Sequence, residues 1–223
     1  MFSKILIANR GEIAVRIIRA CKEMGITTVA VYSEADSEAL HVSLADESVC
    51  IGAAPVSESY LNQKAILSAA LLTGCEAVHP GYGLLSENAD FAKACAAQGL
   101  VFIGPPAEVI ACMGNKDAAK RLMRSLGVPV VPGSEGAVAT LEEARENAEQ
   151  IGYPLLIKAS AGGGGRGIRK VTRAEELEQA FYSASMEAEK AFGDGSVYME
   201  RFFSPVRHVE MQLMCDAYGN VVC

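Results

Sequence analysis

Lys4-Ile5-Leu6-Ile7-Ala8-Asn9-Arg10-Gly11-Glu12-Ile13-Ala14 opens the stretch whose reading decides the fold. Residues 4–8 form a short β-rich run, and Asn9-Arg10-Gly11 is a turn. Between Glu12 and Met24, Ile13, Ile17, Ile18, Cys21 and Met24 recur at helical spacing. Gly25 then ends the helix as a C′ residue. Residues 27–32 read as a second strand, which completes a βαβ unit. The alternation continues with strands at 47–51, 76–79 and 100–103 and helices at 59–72 and 86–97. Strands separated by helices of this length predict a parallel, doubly wound sheet, a Rossmann-like domain in the α/β class. The turn at 9–12 lacks the glycines that a dinucleotide needs, so NAD is not assigned to this half.

Beyond Pro105-Pro106 the pattern changes. Helices at 107–113 and 116–126 lead to Gly127, Pro129, Pro132 and Gly133, a linker by composition. Thr140-x-x-Glu143 is a capping box that opens a helix. A strand at 155–159, the glycine-rich run 161–167 and a returning strand at 168–171 follow. Thr172-x-x-Glu175 is expected to cap a helix reaching about residue 192, ahead of strands at 196–203 and 206–215 and a turn at 216–220. Val221, Val222 and Cys223 read as the opening of a return strand with no polar tail, so a longer parent protein is expected.

Composition limits the class. The chain has 223 residues, 50% hydrophobic and 21% charged, with a net charge of −7, which argues for a globular protein and against a broad nucleic-acid surface. No apolar run approaches membrane-spanning length. The seven cysteines are scattered without a C-x-x-C pair, the usage expected of reduced thiols in a cytoplasm. The three histidines stand far apart, so no metal site is assigned.

The strongest chemical signal is Lys158-Ala159-Ser160-Ala161-Gly162-Gly163-Gly164-Gly165-Arg166-Gly167. Gly162, Gly164 and Gly167 satisfy G-x-G-x-x-G, yet a strand follows where the dinucleotide fingerprint requires a helix. No Lys-Ser or Lys-Thr follows the last glycine, so a P-loop fails too. What remains is a flap between antiparallel strands whose backbone N–H groups can approach phosphate oxygens, with Lys158 as a point charge. A loop without a ligand is the competing reading. Gly81 and Gly83, in His79-Pro80-Gly81-Tyr82-Gly83, follow the carboxyl end of a strand, where open α/β sheets bind ligands. An ordinary rigid turn would use the same residues. Lys116 sits at a helix start, which the dipole does not favour for a cation and which hints at another task, although an exposed lysine is the default reading. Glu200-Arg201-Phe202-Phe203 can lay backbone against an adenine edge or serve as a loop. His208 and Glu210 alternate along one face of an expected strand. Arg19 and Glu23 form an i,i+4 pair, and a solvated helix face explains them equally well.

Taken together, several segments resemble biotin carboxylase, the ATP-grasp component of acetyl-CoA carboxylase and related biotin-dependent carboxylases. They are Ile7-Ala8-Asn9-Arg10-Gly11-Glu12-Ile13-Ala14, His79-Pro80-Gly81-Tyr82-Gly83 with Ser86-Glu87-Asn88, Met113-Gly114-Asn115-Lys116, the glycine flap, and Arg207-His208-Val209-Glu210. The resemblance runs from Met1 to Cys223 in the family's order and spacing. It implies a Rossmann-like domain over 1–114, linker helices and a glycine-flap ATP-grasp lid over 115–203, and the start of the ATP-grasp catalytic subdomain over 204–223. It also implies that Lys116 and Lys158 contact ATP phosphates, that Gly164 and Gly165 close over them, and that Ile168, Glu200, Arg201, Phe202 and Phe203 line the adenine pocket. His208 would reach the ribose, with Glu210 close by. Tyr82 and Gly83 would border the biotin site, and Arg19 and Glu23 would fall at the family's homodimer contact. Leu84, Ile168 and Arg201 stand where Phe, Met and Lys are frequent.

The reaction so implied is two-step. ATP with Mg²⁺ phosphorylates bicarbonate to carboxyphosphate, which then carboxylates biotin on a biotin carboxyl carrier protein that works with carboxyltransferase subunits. The resemblance is strongest to the separate biotin carboxylase subunit of acetyl-CoA carboxylase in fatty acid biosynthesis. Propionyl-CoA, methylcrotonyl-CoA and pyruvate carboxylases share these motifs. The family's Mg²⁺, bicarbonate and catalytic residues lie beyond Cys223, so this chain alone is expected to be inactive. A different ATP-grasp ligase and a non-catalytic assembly module are the competing functions.

Overall fold

The computed structural model describes residues 1–159, 168–192 and 195–223 and divides into two compact units, residues 1–122 and 123–223. In the first unit the strands β1 (Lys4–Ile7), β2 (Thr27–Tyr32), β3 (Glu47–Cys50), β4 (Ala77–His79) and β5 (Val101–Phe102) form one sheet. Its order is β3-β2-β1-β4-β5, and every pair is parallel. The order reverses at β1: β2 and β3 add on one side, β4 and β5 on the other. This is the doubly wound α/β arrangement that the alternating strands and helices predicted.

Parallel strands need cover on both faces, and β1 shows how the sequence supplies it. Ile5 packs with Cys21, Ile26 and Ala77, and Ile7 with Ala14 and Ile18, which places the helix α1 (Gly11–Glu23) over one face. Leu6 points the other way, into a cluster with Val29, Val31, Val78, Ile66 and Phe91. The latter two belong to α3 (Gln63–Leu72) and α4 (Ala89–Ala97), which follow the short α2 (Leu40–Leu44). Phe91 meets Phe102 of β5 edge to face with ring centres 6.0 Å apart. Gly25 has φ +69°, the left-handed value a C′ glycine adopts without penalty.

Two of these helices start later than the periodicity suggests. Asn62 accepts from the Ala65 amide at 3.2 Å, and Asn88 accepts from the Phe91 amide at 2.8 Å. Each asparagine is therefore the N-cap, and the preceding residues form turns rather than helix. Further on, α5 (Ala107–Gly114) and α6 (Lys116–Ser125) follow.

The second unit is built on β6 (Leu155–Ala159), β7 (Arg169–Val171) and β8 (Val197–Arg201), in the antiparallel order β7-β6-β8. Leu155, Ile157, Val171, Val197 and Met199 all face α7 (Leu141–Ile151) and α8 (Leu177–Phe192). The Thr140 capping box is present: the Glu143 amide donates to Thr140 Oγ1 at 3.2 Å, and the Thr140 amide donates to Glu143 Oε2 at 3.3 Å. The segment expected to be a plain linker continues as an edge on β8. There the Ser134 amide donates to the Met199 carbonyl, and Val138 bridges Val197.

Two further expectations are corrected. The box expected from Thr172 to Glu175 is made by Glu176, whose Oε2 accepts from the Thr172 amide at 2.9 Å and from its hydroxyl at 2.8 Å. A 3₁₀ turn at Ala174–Glu176 shortens the entry and brings the later glutamate into reach. The expected strand at 206–215 reduces to β9 (Met214–Cys215), paired with β10 (Val221–Val222) around the Asp216–Asn220 turn. Residues 206–213 have strand-like composition, but no neighbouring strand pairs with them among the described residues, and an unpaired β-rich run has no ladder to hold it. The helix expected at 59–72 is preceded by a separate 3₁₀ turn at Val56–Glu58.

His41 lies in α2, only 1% exposed, with Nε2 3.3 Å from the Val31 carbonyl and Nδ1 unpartnered. Burial holds its pKa below the ordinary 6.5, and burial does the same to His79. Both rings accept a proton more readily in the unfolded chain, so the unfolded state gains protons first on acidification and stability falls as pH drops below that value. The thermal midpoint of unit 1 should therefore fall between about pH 7 and pH 5. His41→Phe should flatten that slope without abolishing it, because His79 remains. Melts followed by circular dichroism across this range test the assignment.

Candidate functional site

The carboxyl ends of the parallel strands carry the first group of candidate residues, and Asn9 organises them. Only 3% exposed, it follows β1 at the point where the strand order reverses, the place where open α/β sheets form their binding crevice. Its Nδ2 donates to the carbonyls of Pro80 at 2.7 Å and Tyr82 at 2.9 Å, and its Oδ1 accepts from the Arg10 amide at 2.9 Å. His79 Nδ1 accepts from the Gly81 amide at 3.0 Å, which assigns the neutral ring's proton to Nε2. On top of this loop Tyr82 stands 79% exposed, followed by Gly83 at φ +70°. Lys116, assigned to the phosphates by resemblance, is the first residue of α6 in the same unit.

Beside the loop, Arg10 and Asp36 form a two-point ion pair, with Nε to Oδ2 at 2.8 Å and Nη2 to Oδ1 at 2.5 Å. The Tyr60 hydroxyl donates to Asp36 Oδ2 at 2.6 Å, and Ser33 Oγ lies 3.3 Å from the same oxygen. Arg10, then Tyr60, hold the Asp36 carboxyl down to about 2. Asp36 follows β2, where a ribose-binding acid stands in dinucleotide folds, but its oxygens are already committed to neighbours. That agrees with leaving NAD unassigned. Asp36→Ala should leave the Arg10 guanidinium and the buried Tyr60 hydroxyl without their acceptor and cost about 2 kcal/mol. Urea unfolding of the variant against wild type measures this.

The second group lies on unit 2. Alternation along β6 and β8 buries Leu155, Ile157, Val197 and Met199, and leaves Leu156, Lys158, Tyr198 and Glu200 on the opposite face. Register sets Leu156 beside both Lys170 and Glu200, and Lys158 beside Tyr198. Lys158 Nζ is ion-paired with Glu200 Oε1, with the side chains 33% and 19% exposed. Lys170 Nζ lies 4.2 Å from the centre of the Phe202 ring, at cation–π distance. This open face therefore combines two ammonium groups, a carboxylate and apolar surface. Ile168 precedes β7 and is 40% exposed.

Other assigned residues are placed differently. Arg201 turns its guanidinium to the C-terminal end of α7, where Nη1 donates to the Ile151 carbonyl at 2.9 Å. The Arg201 and Phe202 amides donate to the Pro132 and Pro154 carbonyls. Phe203 is exposed. His208 and Glu210 pair at 3.2 Å, both exposed, in the segment without regular structure. Gly164 and Gly165 lie outside the described residues. Arg19 and Glu23 share the outward face of α1 with Glu12 and Arg16, around one surface depression.

Among the described residues, no three His, Cys, Asp or Glu side chains gather as a metal site. Sequence reasoning missed Asn9, Lys170 and Tyr198. A signal existed for the last two, since period-two alternation along each strand places them with Lys158. None existed for Asn9, because the two carbonyls its amide nitrogen holds are more than 70 residues away.

Comparison with known proteins gives the class and then the family. Residues 1–110 match the family model of the biotin carboxylase N-terminal domain, and residues 115–223 match that of the carbamoyl-phosphate synthase L chain ATP binding domain. The chain is 55% identical over 222 residues to biotin carboxylase 1 of Bacillus subtilis, covering 100% of this chain and 49% of that protein. A Campylobacter jejuni biotin carboxylase solved as its beta-gamma-ATP complex superposes with a TM-score of 0.88 at 51% identity, over 100% of this chain and 50% of that one. The biotin carboxylase domain dimer of Hydrogenobacter thermophilus 2-oxoglutarate carboxylase, solved with MgADP, ADP and bicarbonate, superposes at 0.86 with 52% identity, over 100% and 49%. An α/β architecture of the kind found in biotin carboxylase ATP-grasp structures is thus the class, and the chain belongs to the biotin carboxylase family. It spans about half the length of the relatives it matches.

Proposed function

We propose that the protein carrying this chain is an ATP-dependent ligase that carboxylates biotin on a carrier protein, using bicarbonate through carboxyphosphate. The observation that carries this reading is Lys158 on the open face of the three-stranded sheet, charge-paired with Glu200 and next to the glycine run. Lys158 supplies a cation to a transferred phosphate, and Glu200, Ile168, Arg201, Phe202 and Phe203 line the base, partly through backbone. Phosphoryl transfer depends chiefly on positioning and on neutralising charge. Gly164 and Gly165 would add backbone donors, Lys116 a second cation, and His208 with Glu210 the ribose contact. Tyr82 and Gly83 are the biotin side. Mg²⁺, when bound, would neutralise the phosphate oxygens, and no residue described here is assigned to it. The division into 1–114, 115–203 and 204–223 follows the same reading.

The carrier protein, the carboxyltransferase subunits and a homodimer through the Arg19 and Glu23 face are the partners so implied, in the cytoplasm. Among the carboxylases we infer acetyl-CoA carboxylase and fatty acid synthesis, while propionyl-CoA, methylcrotonyl-CoA and pyruvate carboxylases are the alternatives. Membership of the biotin carboxylase family supports this reading over a different ATP-grasp ligase or a non-catalytic assembly module. Among the described residues no helix is long and apolar enough to cross a membrane.

In the gene product containing this chain, ADP release should rise when biotin and bicarbonate are added together. Release indifferent to biotin would overturn the proposal. Reconstitution with carrier and carboxyltransferase then identifies the acyl-CoA that becomes carboxylated. Lys158→Met should raise the KM for ATP about tenfold through loss of a charge-assisted phosphate contact, as read in the same coupled assay. The 223-residue chain by itself should show no biotin-stimulated ADP release.

A further inference from the structure

We propose that Asn9 is a positioning residue for the biotin-side loop, acting through its side-chain amide without touching the ligand; the inference rests on the reading of Tyr82 and Gly83 as that side. A primary amide has two N–H donors, and both are spent on the carbonyls of Pro80 and Tyr82, two residues apart in one loop. Holding two such carbonyls on one nitrogen curls the chain between them. Gly81 takes φ +66°, and a Cβ there would lie 2.7 Å from Ile13 Cγ2 and 2.8 Å from Asn9 Nδ2. The Gly81 amide is tied in turn to His79 Nδ1. Past the curl, Leu84 sits at φ +50°, a left-handed value that is unfavourable for a residue with a side chain. It is held there between the Ser86 amide, which donates to the Gly83 carbonyl at 2.9 Å, and Leu85, 2% exposed.

A loop that merely joins β4 to α4 needs none of this. Here the inner polar groups at positions 80, 81 and 82 are all anchored, while Tyr82 is presented to solvent at the point where the strand order reverses. Rigidity of this kind lowers the entropy lost when a ligand docks, so its benefit appears in ligand affinity. Aspartate at position 9 would keep the acceptor for the Arg10 amide, lose both donors and set a carboxylate against two carbonyls. Serine could reach one carbonyl only.

Asn9→Asp and Gly81→Ala approach the clamp from opposite sides, and the second leaves the Asn9 amide in place should the first fail to fold. In the gene product containing this chain, each should raise the KM for free biotin about tenfold, with the KM for ATP within about twofold of wild type. Wild-type turnover that ignores biotin would strike the biotin reading itself. Biotin-dependent wild type with an unchanged biotin KM in both variants would overturn the role of Asn9 alone. So would KM values for biotin and ATP that rise in parallel with a lowered melting temperature, since that marks a general folding defect.

Discussion

Burial of one strand on both faces is the constraint from which the first unit follows. Ile5, Leu6 and Ile7 in β1 are all at most 2% exposed, and alternation sends Leu6 to one side and its neighbours to the other. A strand so placed must lie inside a sheet with helices above and below it. The helices α1, α3 and α4 satisfy that demand. Once β1 is central, its carboxyl end becomes the place where the strand order reverses, and Asn9 stands two residues past the end of β1 there.

The second unit obeys the opposite rule. Its three antiparallel strands bury one face only, against α7 and α8, and the other remains polar. An antiparallel sheet tolerates this. Lys158 and Glu200 can be charged and partly exposed because Leu155, Ile157 and Met199, on the opposite side of the same strands, hold the sheet down. Apolar packing and charge are thus divided between odd and even positions of β6.

Much of this was legible in advance. Helical spacing in α1, the β-rich runs and the Thr140 capping box each depend on neighbours within a few residues, and each is present. What local spacing misjudged were the helix starts at Asn62 and Asn88, the Glu176 contact and the run at 206–213. In the first two, an asparagine hydrogen bond outweighed a continuing apolar pattern. In the last, strand propensity found no partner strand. The site was partly legible too: the Lys158 and Glu200 residues stood out by type, but their pairing depends on antiparallel register between segments some 40 residues apart.

The sequence by itself determined which segments become strands or helices, which face of each is apolar, and through its motifs the family. Those properties reside in periodicity and residue type, which act over one or two turns of chain. Only the tertiary structure decided that Asn9 holds the 80–82 carbonyls, that Asp36 is consumed by Arg10 and Tyr60, and that Lys170 joins Lys158 on one open face. Each of these requires two segments to meet at hydrogen-bond or ring-contact distance, and that meeting is set by sheet order and register rather than by any local pattern.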